Sequence, residues 1–157
     1  MPLDRLRYSA ENCSIGRTLE IVGEKWTLLV LREAFYGVRR FADFHRALGC
    51  ARNLLSARLR KLVDEGLLAQ EPYRESGDRV RFEYRLTDKG LELFPALVAL
   101  MQWGDRWAAD PDGPPVELRH RDCGARVNAE LRCAEGHRHL SARTTEAVPG
   151  AGARRAG

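Results

Sequence analysis

The chain has 157 residues, 44% of them hydrophobic, and carries 26 basic against 22 acidic residues for a formal net charge of +4. That length suits one ordinary domain with a small appendage, able to bury a core without disulfides. No apolar run reaches the roughly 20 residues that a membrane-spanning helix needs, and no leader pattern opens the chain, which predicts a cytoplasmic protein with no membrane partner.

Residues 1–12 are polar and read as a flexible arm. From Ser14 the pattern is helical, with Ile15, Leu19 and Val22 on one face and Gly23 as a stop. A second helix is expected from Lys25 to Tyr36, ended by Gly37. A short third one spans Arg40 to Leu48, with Phe41, Phe44 and Leu48 on one side. Gly49 sits in a tight connection, and an amphipathic helix follows from Arg52 to Glu65 with Leu55, Leu59 and Leu62 turned inward. Short helix, glycine-bearing turn and longer helix make a helix-turn-helix. The period then changes from helical to extended. Leu67–Tyr73 reads as a strand, Glu75-Ser76-Gly77-Asp78 as a turn, and Val80, Phe82, Tyr84 and Leu86 alternate with polar residues. A β-hairpin directly after a candidate recognition helix is a wing. Thr87 is a plausible N-cap for a long apolar helix reaching Trp107, with a kink at Pro95.

The predicted fold class is therefore mainly α with a small β-hairpin (α+β). It comprises a winged helix-turn-helix domain over residues 13–109, including a long C-terminal dimerisation helix, a linker at 110–115, a small Cys/His-containing appendage at 116–142 and a disordered tail at 143–157. Charge is unevenly placed. Seven basic residues lie between Arg39 and Lys61 against the single acid Asp43, whereas 63–78 is mostly acidic. Such clustering points to a polyanionic partner more than net charge does.

Several stretches together resemble the HxlR family of winged helix regulators, relatives of the MarR family. They are Cys13…Gly16-Arg-Thr-Leu-Glu-Ile-Val-Gly-Glu-Lys-Trp26, Gly37…Arg40-Phe41-Ala-Asp-Phe44, Leu55…Arg58-Leu59…Leu62…Glu65-Gly66-Leu67 and Tyr84-Arg-Leu-Thr-Asp-Lys-Gly90-Leu. The resemblance covers about residues 12–107. It implies a DNA-binding transcriptional regulator, read here as a repressor that binds an inverted-repeat operator as a homodimer.

A major groove admits one helix, and the start of that helix reads base edges. With Leu55, Leu59 and Leu62 facing the core, Arg52, Asn53, Ser56 and Arg60 lie opposite and form the expected reading face on double-stranded DNA. Arginine pairs bidentately with guanine and asparagine with adenine. Arg58 and Lys61 flank that face and suit phosphate, as do Arg39 and Arg40. Arg79 and Arg81 on the wing are placed for an adjacent minor groove or backbone. For Arg58, Lys61 and Arg85 a solvated or salt-bridged surface position is an equal alternative.

The resemblance also implies a candidate input. Some members of the family sense oxidants or electrophiles with a cysteine at the place of Cys13, at a helix start where the dipole favours thiolate. Cys50 lies in the turn before the recognition helix, so a Cys13–Cys50 bond between subunits is one candidate redox device, against the alternative of two small apolar fillers. A small-molecule effector is a further candidate, with Trp26, Phe35, Trp103 and Trp107 either lining its site or belonging to the core. In the tail, His120-x-x-Cys123 and Cys133-x-x-x-His137, with His139 beyond, suit a structural zinc. The competing reading is a small appendage with unused thiols.

No phosphate-cradling glycine loop, nucleophile elbow or paired-carboxylate motif is present, so the chain is not read as an enzyme. The alternatives weighed are a winged helix module that binds protein or RNA and, behind it, a Cys/His enzyme.

Overall fold

The computed structural model describes residues 3–77 and 79–157. The elements run α1 (Ser14–Val22), α2 (Lys25–Phe35), α3 (Phe41–Leu48), α4 (Arg52–Asp64), β1 (Leu68–Tyr73), β2 (Arg81–Leu86), α5 (Asp88–Leu91) and α6 (Phe94–Trp107). The mainly α winged helix-turn-helix expected from the pattern is the fold observed. The chain divides into two compact units. One holds Leu6–Leu93 with the terminal Ala153–Gly157, and the other Phe94–Gly152 with the short stretch ending at Arg5.

In the first unit the core gathers Val30 and Leu31 of α2, Phe44 of α3, Leu55, Leu59 and Leu62 of α4, and Leu67 and Leu68 at the entry to β1, all essentially inaccessible. Each such side chain contributes on the order of 1.5–3 kcal/mol through burial. These are the inward residues that helical periodicity selects on α3 and α4. Gly49 closes α3 with φ +65°, a left-handed conformation in which its N–H bonds the His45 carbonyl. That conformation turns the chain sharply into α4.

The hairpin pairs β1 with β2 antiparallel from Leu68↔Leu86 to Tyr73↔Arg81. Asp78, expected in its turn, lies outside the described residues. Tyr84 N–H donates to the Arg39 carbonyl at 2.7 Å, and its ring packs edge-on against Phe44, so the hairpin is fixed to the start of α3.

Thr87 caps α5 as expected, its hydroxyl accepting from Gly90 N–H at 3.1 Å. The same hydroxyl donates to the Gly66 carbonyl at 2.6 Å, and Lys89 Nζ reaches the Glu65 carbonyl. Gly90 is buried, and a Cβ there would stand 2.2 Å from the Leu67 carbonyl oxygen. The Thr-Asp-Lys-Gly run is thus a docking device that presses α5 onto the end of α4.

One long kinked helix from Thr87 to Trp107 was expected, and two helices are found. In a continuous helix Pro95 would offer no N–H to the Leu91 carbonyl and its ring would clash with it, and α5 stops at Leu91. Pro95 then occupies the first turn of α6, where no donor is required. The N-terminal arm also differs from expectation. Tyr8 pairs with Arg155 in an antiparallel bridge, flanked by Ser9 N–H to the Arg154 carbonyl and Ala156 N–H to the Arg7 carbonyl. These bonds satisfy backbone groups at both ends of the chain.

In the second unit α6 carries the chain into residues 116–142, which fold as two successive turns without a named helix or strand. Gln102 holds them to α6. Its amide nitrogen donates to the Val127 carbonyl at 2.8 Å and its oxygen accepts from Ala129 N–H at 2.9 Å. No described helix is long and apolar enough to cross a membrane.

Candidate nucleic-acid interface

The site is the outer face of α4 with the wing beside it. Because Leu55, Leu59 and Leu62 are buried, the helical period leaves Arg52, Asn53, Ser56 and Arg60 exposed on the other side. Arg52 opens the helix and its guanidinium lies 5.1 Å from the centre of the Phe41 ring, which supports it without neutralising it. Lys61 is half-buried at the margin.

Arg58 is placed differently. Its Nε lies 2.9 Å from Glu24 Oε2, close enough for an ion pair although not aligned as a hydrogen bond. Glu24 is the N-cap of α2 and accepts from Thr27 N–H at 3.1 Å. Burial pushes the Glu24 carboxyl up, but the Trp26 and Thr27 amides and the Arg58 charge more than reverse this, holding it below its usual range. Arg58 thus joins α4 to α2 through an ion pair that is still partly exposed, as the salt-bridge alternative expects.

Arg40 is similarly engaged. It bonds Glu75 at 2.5 Å and lies 4.4 Å from the centre of the Tyr73 ring, tying the start of α3 to the far end of the hairpin. The hydrogen bond that Arg40 donates to Glu75 raises the Arg40 pKa further. Both partners remain about half exposed, so a phosphate can compete for Arg40. Arg85 bonds Glu71 and Glu83 and belongs to the hairpin's own charge ladder. Arg39, Arg79 and Arg81 are exposed.

Cys13 is the exposed N-cap of α1, its Sγ accepting from Gly16 N–H at 3.4 Å. Cys50 is buried at 6% exposure in the turn before α4, so its pairing with a thiol of a second subunit would require that turn to open. Trp26 and Phe35 are half-buried, whereas Trp103 and Trp107 are exposed. The tail residues come together in two pairs, His120 Nδ1 with Cys123 Sγ at 3.3 Å and Cys133 Sγ with His137 Nδ1 at 3.2 Å. His139 instead faces Glu130 at 3.4 Å. The roles of Glu24, Glu75 and Gly90 are not visible in local periodicity. Glu24 and Gly90 carried a signal as members of the family-like stretches, and Glu24 also as a carboxylate three residues before Thr27.

The model of the HxlR-like helix-turn-helix family matches residues 21–112, more than half the chain. The chain belongs to that family. Its members are transcriptional regulators and not enzymes, and the chain is a winged helix-turn-helix transcriptional regulator. It is 49% identical over 152 residues to the HTH-type transcriptional regulator Rv3095 of Mycobacterium tuberculosis, itself uncharacterized, covering 97% of this chain and 95% of the relative. The crystal structure of PA1607, provisionally assigned as a transcription factor, superposes with a TM-score of 0.77 at 42% identity, covering 89% of this chain and 96% of that one. The redox regulator HypR in its oxidized form matches with a TM-score of 0.53 at 29% identity over 59% of this chain and 94% of that one. The HxlR-like match ends at residue 112, whereas the likenesses to Rv3095 and PA1607 extend into the tail.

Proposed function

We propose that this regulator binds an inverted-repeat operator as a homodimer and represses transcription, with Arg52, Asn53, Ser56 and Arg60 reading bases. Arg40, Lys61, Arg79 and Arg81 contact phosphate or minor groove. The observation that carries this reading is the exposed face of α4, where a guanidinium, an amide and a hydroxyl stand together while the opposite face is fully buried. These are the chemistries that discriminate guanine and adenine edges in a major groove. One such helix covers few base pairs, so tight binding needs a second half-site and a second subunit. Apolar residues suited to that subunit are exposed on α1 (Ile15 and Leu19) and on α6 (Leu100, Trp103 and Trp107).

Cys13 is the proposed input. It is exposed at a helix start, and the redox regulator HypR is a structural relative. Footprinting and gel shifts on the neighbouring promoter test the whole reading. Arg52→Ala and Asn53→Ala should each weaken operator binding by about 1–3 kcal/mol while leaving non-specific binding nearly unchanged. Equal losses on both DNAs remove these residues from base readout. Diamide should alter operator affinity in the parent protein and not in Cys13→Ser.

A further inference from the structure

Residues 116–142 have an unusual physical status. Among the described residues from Ala99 to Gly157 none is fully buried, and the only β pairing within 116–142 is the isolated bridge Arg119↔Arg126. A segment of this size without a core needs a staple, either a disulfide or a metal ion. All four cysteines are free thiols.

The backbone of the segment forms two short turns of related build. In the first, His120 N–H bonds the Ala125 carbonyl and Gly124 N–H bonds the His120 carbonyl, with Gly124 left-handed at φ +69°. In the second, Cys133 N–H bonds the His137 carbonyl and Gly136 N–H bonds the Cys133 carbonyl, with Gly136 at φ +85°. Each turn presents one thiol and one imidazole Nδ1 to each other, at 3.3 Å and 3.2 Å. A tetrahedral zinc ion with bonds of about 2.3 Å to sulfur and about 2.0–2.1 Å to nitrogen separates neighbouring ligand atoms by about 3.5 Å. Both pairs therefore already stand close to the bite distance of such an ion.

We propose that His120, Cys123, Cys133 and His137 hold one structural zinc ion that folds the tail. Among the described residues no three such side chains already form a ready cage, so the ion draws the two turns together as it binds. Each thiol gives up its proton to solvent, and the two thiolates neutralise the dication while both imidazoles bind neutral. His139 belongs to neither pair, its Nδ1 lying 3.4 Å from Glu130 Oε2, and is not assigned as a ligand. Four protein ligands leave no position open for water, so the site is structural and not catalytic.

The test is metal analysis of the full-length protein purified from zinc-containing medium, with cobalt(II) titration of the metal-stripped protein. One zinc per chain is expected, lost in Cys123→Ser, Cys133→Ser and His137→Asn and retained in His139→Asn. Cobalt should give a thiolate charge-transfer band and strong tetrahedral d–d absorption, a readout that needs no variant to fold. Limited proteolysis should cut 116–142 in the stripped protein and spare it in the zinc form. Absence of zinc together with no cobalt–thiolate band overturns the proposal. So does zinc retained by the Cys123→Ser/Cys133→Ser double variant, or one ion per two chains. None of these outcomes bears on base reading by α4, which the operator variants test separately.

Discussion

Replacing Gly90 with alanine probes the docking of α5 on the end of α4. Alanine is the better helix former by about 1 kcal/mol, so propensity alone predicts stabilisation. The structure predicts the reverse. The new methyl would stand 2.2 Å from the Leu67 carbonyl oxygen, short of ordinary van der Waals contact by more than 1 Å, and the obstacle is backbone. Relief requires α5 to lift. That movement strains the Thr87 N–H bond to Leu67 at 3.1 Å and the Thr87 hydroxyl bonds to Gly66 and Leu67. Overpacking costs about 1–3 kcal/mol and each weakened hydrogen bond about 0.5–1.5 kcal/mol. With three such bonds weakened and the helix gain subtracted, the expected destabilisation is about 1.5–6.5 kcal/mol. For a chain of this size that lowers Tm by roughly 3–25 °C. Thermal and urea unfolding with an unchanged m value would measure it. A Gly90→Ala protein as stable as its parent would refute the close approach of α5 to Leu67.

Three further perturbations have defined outcomes. Glu24→Gln removes the charge that caps α2 and pairs with Arg58. The folded carboxyl titrates below its ordinary value of 4.5, so its stabilisation is complete above that value and is lost as pH falls through the lowered one. The Tm difference between parent and variant, followed by circular dichroism from pH 7 to pH 3, should therefore shrink towards zero at the acid end. Glu75→Gln releases Arg40 from its ion pair, and the slope of log affinity against log salt on non-specific DNA should steepen by up to about 0.9 in a fluorescence anisotropy titration. Leu100→Asp places a charge on the exposed apolar face of α6, and sedimentation velocity should show the proposed dimer converted to monomer at micromolar concentration.

The helix-turn-helix was readable because its information is local. Phe41, Phe44 and Leu48, then Leu55, Leu59 and Leu62, repeat at helical spacing, and a left-handed glycine marks the turn between them. Burying those leucines leaves Arg52, Asn53, Ser56 and Arg60 outside, so the candidate reading face was visible by subtraction. Arg58 was not decidable in the same way. Its ion partner Glu24 lies 34 positions away on another helix, and periodicity carries no term for such pairs. The interruption expected at Pro95 is found just ahead of it, at Glu92 and Leu93, and takes the form of a break, not a kink. Whether a proline kinks a helix or restarts it depends on what the preceding turn is docked against, here Gly66 and Leu67 through Thr87. The tail had no apolar repeat to follow. Only the spacing of its histidines and cysteines was informative.

The contact made by Gln102 has a consequence for how this chain can diverge. Its amide grips the tail through the backbone of Val127 and Ala129 and uses neither of their side chains. An anchor of this kind is indifferent to which residues it holds, provided the spacing of the two peptide groups persists. Substitutions at 127 and 129 can therefore accumulate in relatives without loosening the tether, while insertion or deletion of one residue between them would break it. Across homologues the expected signature is constant segment length beside variable sequence, with the single glutamine on α6 held fixed.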